Sequence, residues 1–477
     1  MTSPPVFDVR DQGARGDGRA IDSPAINRAI EVAASAGGGI VMLPAGRFLC
    51  FSIRLASGIT LLLAEDAVIE AADPARHPGR YDLPEPAPEA LYQDFGHSHW
   101  HNSLIWGDGI ANVAILGPGR IEGSGLTRDG PGARWRKQTG ERPLSMAGMS
   151  ETEIRRLEPQ AEAMTGLANK AVALKNCRNV RLSGFTILKG GHFALLATGV
   201  ENLVVEDLAI DTDRDGIDLD CVRNASVSRC RVNTPNDDAI VLKSSFALGA
   251  AVVTENVVIE DCSVSGFDPG TMLDGSFGRS QEIAPDRDRV TGRIKLGTES
   301  NGGFRNIVIR NCRFERSRGL ALETVDGGVL EDVEVRGIVM REVTTAPLFL
   351  RLGDRGRGPA GTGVGSLRRI SIRDVEATGI DARFAATIAG LPGNRIEDVE
   401  LRNLRFVYAG GIEAPVATPP ILAEAYPEPS MFGITPAWGL WVRHADRVSL
   451  RDVRLETERP DARTQILAEA AELHREG

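Results

Sequence analysis

Two acidic strand starts lie 23 residues apart in the stretch DTDRDGIDLDCVRNASVSRCRVNTPNDDAIVLKSS, residues 211–245. The first is Asp215-Gly216-Ile217-Asp218-Leu219. The second is Asp238-Ala239-Ile240-Val241-Leu242, with Asp237 immediately ahead of it. If that interval is one turn of a solenoid, Asp215 and Asp238 become neighbours across a ladder, roughly 4.8 Å apart at the backbone. Carboxylates so crowded cannot all ionise freely, and at least one is expected to hold its proton more tightly than an ordinary aspartate. An acid beside a base is what glycoside hydrolysis requires. Asp218 and Asp220 leave the same strand outward, and Asp220 is expected to pair with Lys243 one rung on.

A repeating fold of that period would bring these positions together. From residue 40 onward a loose phrase recurs: Asn or a substitute, apolar, any, apolar, two polar residues, then a small or apolar one. It is clear as NVRLSGFTI at 179, NLVVEDLAI at 202, NASVSRCRV at 224, NVVIEDCSV at 256 and NIVIRNCRF at 306. Later copies are DVEVRGIVM at 332, RISIRDVEA at 369, DVELRNLRF at 398 and RVSLRDVRL at 447. Alternation of period two makes each a strand with one buried face. Spacing near 22–26 residues, with no helix between copies, predicts an all-β fold, a single-stranded right-handed parallel β-helix over 1–477. A β-propeller is the second choice, but its four-stranded blades need longer repeats.

The remaining elements are expected to close this solenoid. Asp22-Ser23-Pro24 opens a helix over 21–36 that covers one end, with a polar cap and proline at a tolerated position. Insertions at 126–166, partly helical after Ser150, and at 246–291 are expected to wall a groove. The spacing of DARTQILAEAAELHRE predicts a C-terminal helix over 461–476. Cysteines in the repeated phrases KNC, SRC, EDC and RNC read as stacked core residues rather than disulfides or metal ligands.

Bulk properties narrow the function. Net charge is −10, which argues against a nucleic-acid partner, and an acidic polysaccharide would need local basic groups in the cleft. No apolar run reaches membrane-spanning length. No charged-then-apolar leader opens the sequence, so cytoplasmic, periplasmic and secreted locations all stay open, as does the oligomeric state.

Stacking rungs at 23 residues places His192 against Asp215. It makes 194, 196, 217, 219, 240, 242, 294, 296, 320 and 322 inward columns. His192, Asp215, Asp237, Asp238, Arg293 and Lys295 then share one surface column, with Lys243, Glu299 and Glu323 beside it as further candidates for substrate contact.

TDRDGIDLD and NDDAIVLKS resemble the NTDG and GDD-IALKS motifs of glycoside hydrolase family 28, the polygalacturonases and rhamnogalacturonases. FDVRDQGARGDG is similar to that family's opening strand. The resemblance implies an inverting hydrolase of galacturonate-containing pectic chains, polygalacturonan or rhamnogalacturonan, without metal or other cofactor. Asp237 matches the general acid, and Asp215 and Asp238 match the pair that activates water. Two departures stand out. The family's GHG turn falls on Thr291-Gly292-Arg293. Its basic R-I-K strand falls on Ala321-Leu322-Glu323, while Arg293-Ile294-Lys295 appears one rung earlier. The basic patch is therefore expected to have moved by one rung. The two insertions favour attack from a chain end.

Two other functions fit the sequence. A polysaccharide lyase on the same fold would use Arg293 or Lys295 to take the C5 proton. A non-catalytic carbohydrate-binding β-helix would need no acid at all. The alternating His97, His99 and His101 invite a metal reading, but a strand-borne histidine row without a nearby acid is a weak one. Trp100 and Trp106 are candidates for sugar stacking or for packing under a loop. GDRGRG at 353–358 is expected to be a solvated loop.

Overall fold

The computed structural model describes residues 4–87, 92–134 and 142–476. Its strands form one continuous sheet in which every pairing is parallel and joins a strand to its counterpart one coil away. Each coil contributes three strands, so the sheet wraps into a right-handed parallel β-helix. The rung phrase explains the winding. Its first residue adopts positive φ at Asn112, Asn179, Asn202, Asn224, Asn256 and Asn306, between 56° and 57°. Asn tolerates that left-handed turn better than most residues. The apolar positions that follow point inward, and Val180, Leu203, Ala225, Val257 and Ile307 stack as buried core. Later coils fuse two strands into long runs such as Val329–Val343 and Ala437–Thr457.

Helix α1, Ser23–Ser35, buries Ala25, Ile26, Ala29, Ile30 and Ala33 against the first coil. Pro24 sits in its first turn, but Asp22 does not cap it by side chain. The Asp22 carboxylate instead accepts from the Arg15 and Gly16 amides at 2.7 and 2.9 Å. Ser150 does close a capping box with Glu153 ahead of the helical turn Glu151–Leu157. No helix among the described residues is long and apolar enough to cross a membrane.

The expected C-terminal helix over 461–476 is a strand. Thr464–Glu476 pairs in parallel with Ala437–Thr457, Leu440 opposite Ile466 and Val448 opposite Leu473. An open ladder of donors and acceptors on the last coil outweighs the intrinsic helix preference of LAEAAE. The stretch 246–291 is not one insertion either. It contains rung strands Thr254–Glu260 and Ser263–Ser265, and the protruding part begins after them.

Five successive strands carry the site: β1 Phe193–Thr198, β2 Asp215–Asp220, β3 Ile240–Ser244, β4 Ile294–Ser300 and β5 Leu320–Thr324. Ile217 faces Ile240, Ile240 faces Ile294, and Ile294 faces Leu320, as the stacking predicts. The step from β1 to β2 is 22 residues, not 23, since Phe193 faces Asp215 and Leu195 faces Ile217. Leu195 and Ala197 therefore continue the inward column, and Leu196 packs outside with Trp100 and Phe193.

Candidate active site

Register alone creates the acidic centre. With Ile217 opposite Ile240, Asp215 stands at the start of β2 beside Asp238, and the Gly216 amide donates to the Asp238 carbonyl at 3.0 Å. Glycine is required at 216, because a Cβ there would lie 2.5 Å from the Ala239 carbonyl oxygen. Asp215, Asp237 and Asp238 each present an oxygen within 4.8 Å of the others. Asp215 and Asp238 are buried, while Asp237 keeps a quarter of its side chain exposed to the cavity.

Each carboxylate meets a different counterion. Asp237 Oδ2 accepts from Arg214 Nη2 at 2.7 Å and Nε at 3.1 Å, and its Oδ1 accepts from the Asp238 amide at 3.0 Å. Asp238 Oδ1 accepts from Arg293 Nε at 2.6 Å, with Lys295 Nζ 3.5 Å from Oδ2. Among the described residues Asp215 has only Lys243 Nζ, at 3.7 Å, and its Oδ1 has no hydrogen-bond partner. The titration behaviour follows. Burial, reinforced by Asp237, pushes Asp215 well above the usual carboxylate range. Burial also acts on Asp237, but Arg214, Lys243 and Lys295 outweigh it and hold that carboxyl below its usual range. Of the two, Asp215 therefore holds a proton more readily than Asp237.

The other expected residues distribute unevenly. His192 lines the cavity, but the shorter rung step sets it beside Arg214 rather than on the Asp215 column: Arg214 Nη1 lies 3.4 Å from His192 Nδ1. His192 Nδ1 donates to the Arg128 carbonyl at 2.9 Å, and the buried Nε2 has no partner. Burial, then Arg214 and His97, drives its pKa well down, so Nε2 is a free acceptor. Lys243 pairs with Asp218 at 2.8 Å rather than with Asp220, which accepts from the Ser245 amide and hydroxyl. Arg293 and Lys295 reach the cavity but are locked, Arg293 by Glu428 as well as Asp238, and Lys295 between Asp238 and Glu323. Glu299 faces the cavity because β4 bulges between Leu296 and Ser300. Glu323 does not reach it: it is fully buried behind Lys295 and Thr298, where burial outweighs Lys295 and Arg293 and lifts its pKa to about 7.

The three histidines do not converge, and His97 sits in a short helical turn, Phe95–Ser98, rather than on a strand. His97 Nε2 meets Asp218 at 3.1 Å and touches Lys243. His99 lies against Phe95, and His101 stacks on Trp106. Two acidic groupings at the site could hold a cation by spacing, yet Lys243, Lys295, Arg293 and Arg214 already stand among their oxygens. The third, Glu85, His101 and Asp108, is shared with Lys175 and the Trp100 and His101 amides. Trp100 is fully buried under its loop and donates to Thr198, and Trp106 is half-buried and donates to Asp82; neither lines the cavity. The 353–358 loop is not solvated, since Arg355 and Arg357 are buried.

Sequence patterns did not point to Arg214, Tyr426 or Glu428, nor to the site role of His97. All four line a cavity of about 180 Å³ above the three carboxylates. Segments 94–97, 128–133, 142–146, 285–291 and 426–428 wall it on several sides. Only the position of Arg214 within TDRDG offered a signal.

The family model described as rhamnogalacturonase A/epimerase, pectate lyase-like, matches residues 6–71. The chain is 22% identical over 415 residues to a protein named probable polygalacturonase from Vitis vinifera, covering 83% of this chain and 72% of that one. It is 24% identical over 266 residues to an exo-poly-alpha-D-galacturonosidase from Dickeya chrysanthemi, covering 52% of this chain and 42% of that protein's length. Among solved structures, a hyperthermoactive exopolygalacturonase from Thermotoga maritima superposes with a TM-score of 0.66 at 22% identity, covering 96% of this chain and 94% of its own. That likeness establishes the shared β-helical fold.

Proposed function

We propose that this chain is an exo-acting glycoside hydrolase of the polygalacturonase type, cleaving galacturonate-containing pectic chains. The observation that carries the reading is the crowding of three carboxylates in a loop-walled pocket that also holds Arg214, Lys243, Arg293 and Lys295. The names of the Vitis, Dickeya and Thermotoga relatives support it. Walls on several sides favour a chain end over the middle of a polymer. The cations offset the charge of an acidic sugar in a protein whose net charge is −10.

In this reading Asp237 protonates the leaving oxygen, and Asp215 and Asp238 take the proton of the attacking water. The substrate is a uronide, and the pocket recognises its carboxylate. Inversion of the anomeric centre rests on the motif resemblance. The nearest oxygens lie within 4.8 Å, tighter than the roughly 6.5–9.5 Å between carboxyl groups usual for inverting pairs. The product anomer is therefore a direct test. Oligogalacturonides and rhamnogalacturonan fragments should be digested while NMR follows the new anomeric proton. Single sugar units released from the start, in the inverted configuration, are expected. Mixed oligomers at early times would defeat the exo assignment, and no new reducing ends from any uronide would defeat the hydrolase assignment.

The lyase alternative loses its base. Arg293 is held by Asp238 and Glu428, and Lys295 by Asp238 and Glu323. Although burial opposes it, these acids raise both pKa values above their usual ranges. Neither is a proton acceptor near neutral pH.

A further inference from the structure

We infer that Arg214 reads the carboxylate of the bound sugar, and that it does so by leaving Asp237, so that binding an acidic sugar is what frees the candidate acid to take a proton. This rests on the hydrolase reading above and deepens it.

The geometry separates Arg214 from the other cations at the centre. The Arg293, Lys295 and Lys243 side chains are 1%, 3% and 7% exposed, and each is held by two or more acidic partners. Arg214 is 26% exposed, and among the described residues its one hydrogen-bonded carboxylate is Asp237. Both bonds go to a single oxygen, Oδ2, so the planar fork is not used bidentately. Among the described residues its Nη1 meets only His192 Nδ1, at 3.4 Å, a nitrogen already committed to the Arg128 carbonyl. A guanidinium fork matches a carboxylate through two parallel N–H···O bonds, and a uronate in the pocket offers that match. Arg128 and Arg142 also line the cavity, but they pair with Asp213 and Glu158, outside the carboxylate trio.

Transfer of Arg214 to the sugar removes the chief positive charge that keeps Asp237 ionised. One proton then passes from Asp215 to Asp237, through a water or a sugar hydroxyl, with no other bond changing. Asp237 becomes the acid, and Asp215 becomes the base beside Asp238. The groups facing Asp237 in this exchange are Arg214, Asp215, Asp238, Lys243 and Lys295, with His192 behind Arg214. A neutral sugar would leave Arg214 on Asp237 and the acid unprotonated.

Arg214→Met and Arg214→Lys test this, each checked for an unchanged thermal midpoint. Calorimetry with galacturonic acid and with galactose should show Arg214→Met binding galacturonic acid at least about tenfold more weakly, with galactose unaffected. In the free enzyme Asp237 loses its guanidinium, so the acid limb of kcat/KM should rise by about one to three pH units. Arg214→Lys, which keeps the charge, should hold that limb near its original position. An active enzyme whose folded Arg214→Met variant keeps both its preference for galacturonic acid and its acid limb would overturn the inference alone. A wild-type protein that binds galacturonic acid through Arg214 yet cleaves no uronide would overturn the hydrolase reading and leave carboxylate capture standing. Equal binding of galacturonic acid and galactose by the wild type would overturn the capture.

Discussion

Two polar columns run along this solenoid, and they behave oppositely. On one turn Asn179, Asn202, Asn224, Asn256 and Asn306 each donate their amide to the side chain of the preceding coil's asparagine, at 2.7 to 3.2 Å. Farther on, Asp332 with Arg369 and Asp398 with Arg447 continue that column as exposed ion pairs. Elsewhere on the coils, Asp215, Asp238 and the pair Arg293 and Lys295 stand on three successive turns but are buried under loops. The first column repeats one residue type, satisfies it and leaves it in water. The second changes residue at every coil and removes the water. Repetition yields a brace; broken repetition under a lid of loops yields groups with displaced proton affinity.

The sharpest way to break the contrast is to neutralise the candidate acid. Asp237→Asn should lower kcat by about 10²–10⁴-fold in steady-state assays while the thermal midpoint moves little. Retained turnover would place the acid elsewhere. Next comes Arg293→Met, which strands Asp238 and Glu428 without their shared guanidinium. It should cost about 3–5 kcal/mol in urea unfolding, because a buried charge loses its partner. A loss no larger than that of a surface substitution would refute the idea that this column is energetically distinct.

Asp215 gives a pH signature. Its folded pKa lies above the unfolded one, so its contribution favours folding at low pH and is withdrawn as pH rises through the folded value. Asp215→Asn removes that withdrawal. The variant should unfold like the wild type below about pH 4 and become progressively more stable than it at higher pH. A constant offset across pH would count against a retained proton. At the small end, Asn224→Ala cuts two exposed amide bonds in the brace and should cost about 1 kcal/mol with kcat unchanged. A clear loss of activity there would mean that the two columns are coupled.

Much of this was legible in the chain. The phrase beginning with Asn fixes both the inward face and the left-handed turn, and the 23-residue interval brings Asp215 to Asp238. The 22-residue step before it was not legible, since one turn residue fewer leaves the alternation intact, and His192 was consequently set against the wrong neighbour. Thr464–Glu476 carries spacing that suits helix or strand, and only the open ladder beside it decides. Tyr426, Glu428 and His97 arrive on loops outside any repeat, so no periodicity announces them. Arg214 stood inside the motif, but its partner Asp237 is visible only once the coils are stacked.

The surplus of negative charge on this protein lies outside the pocket, and a long polyuronate approaching from solution meets that exterior first. At low ionic strength the repulsion reaches about 30 Å, and near 0.1 M salt it shrinks to about 10 Å. Moderate salt should therefore speed capture of long polymers but not of dimers or trimers, whereas high salt should weaken the hold on the last sugar for both. Fragment length and ionic strength become linked variables, and short acidic fragments become the favoured diet in dilute surroundings.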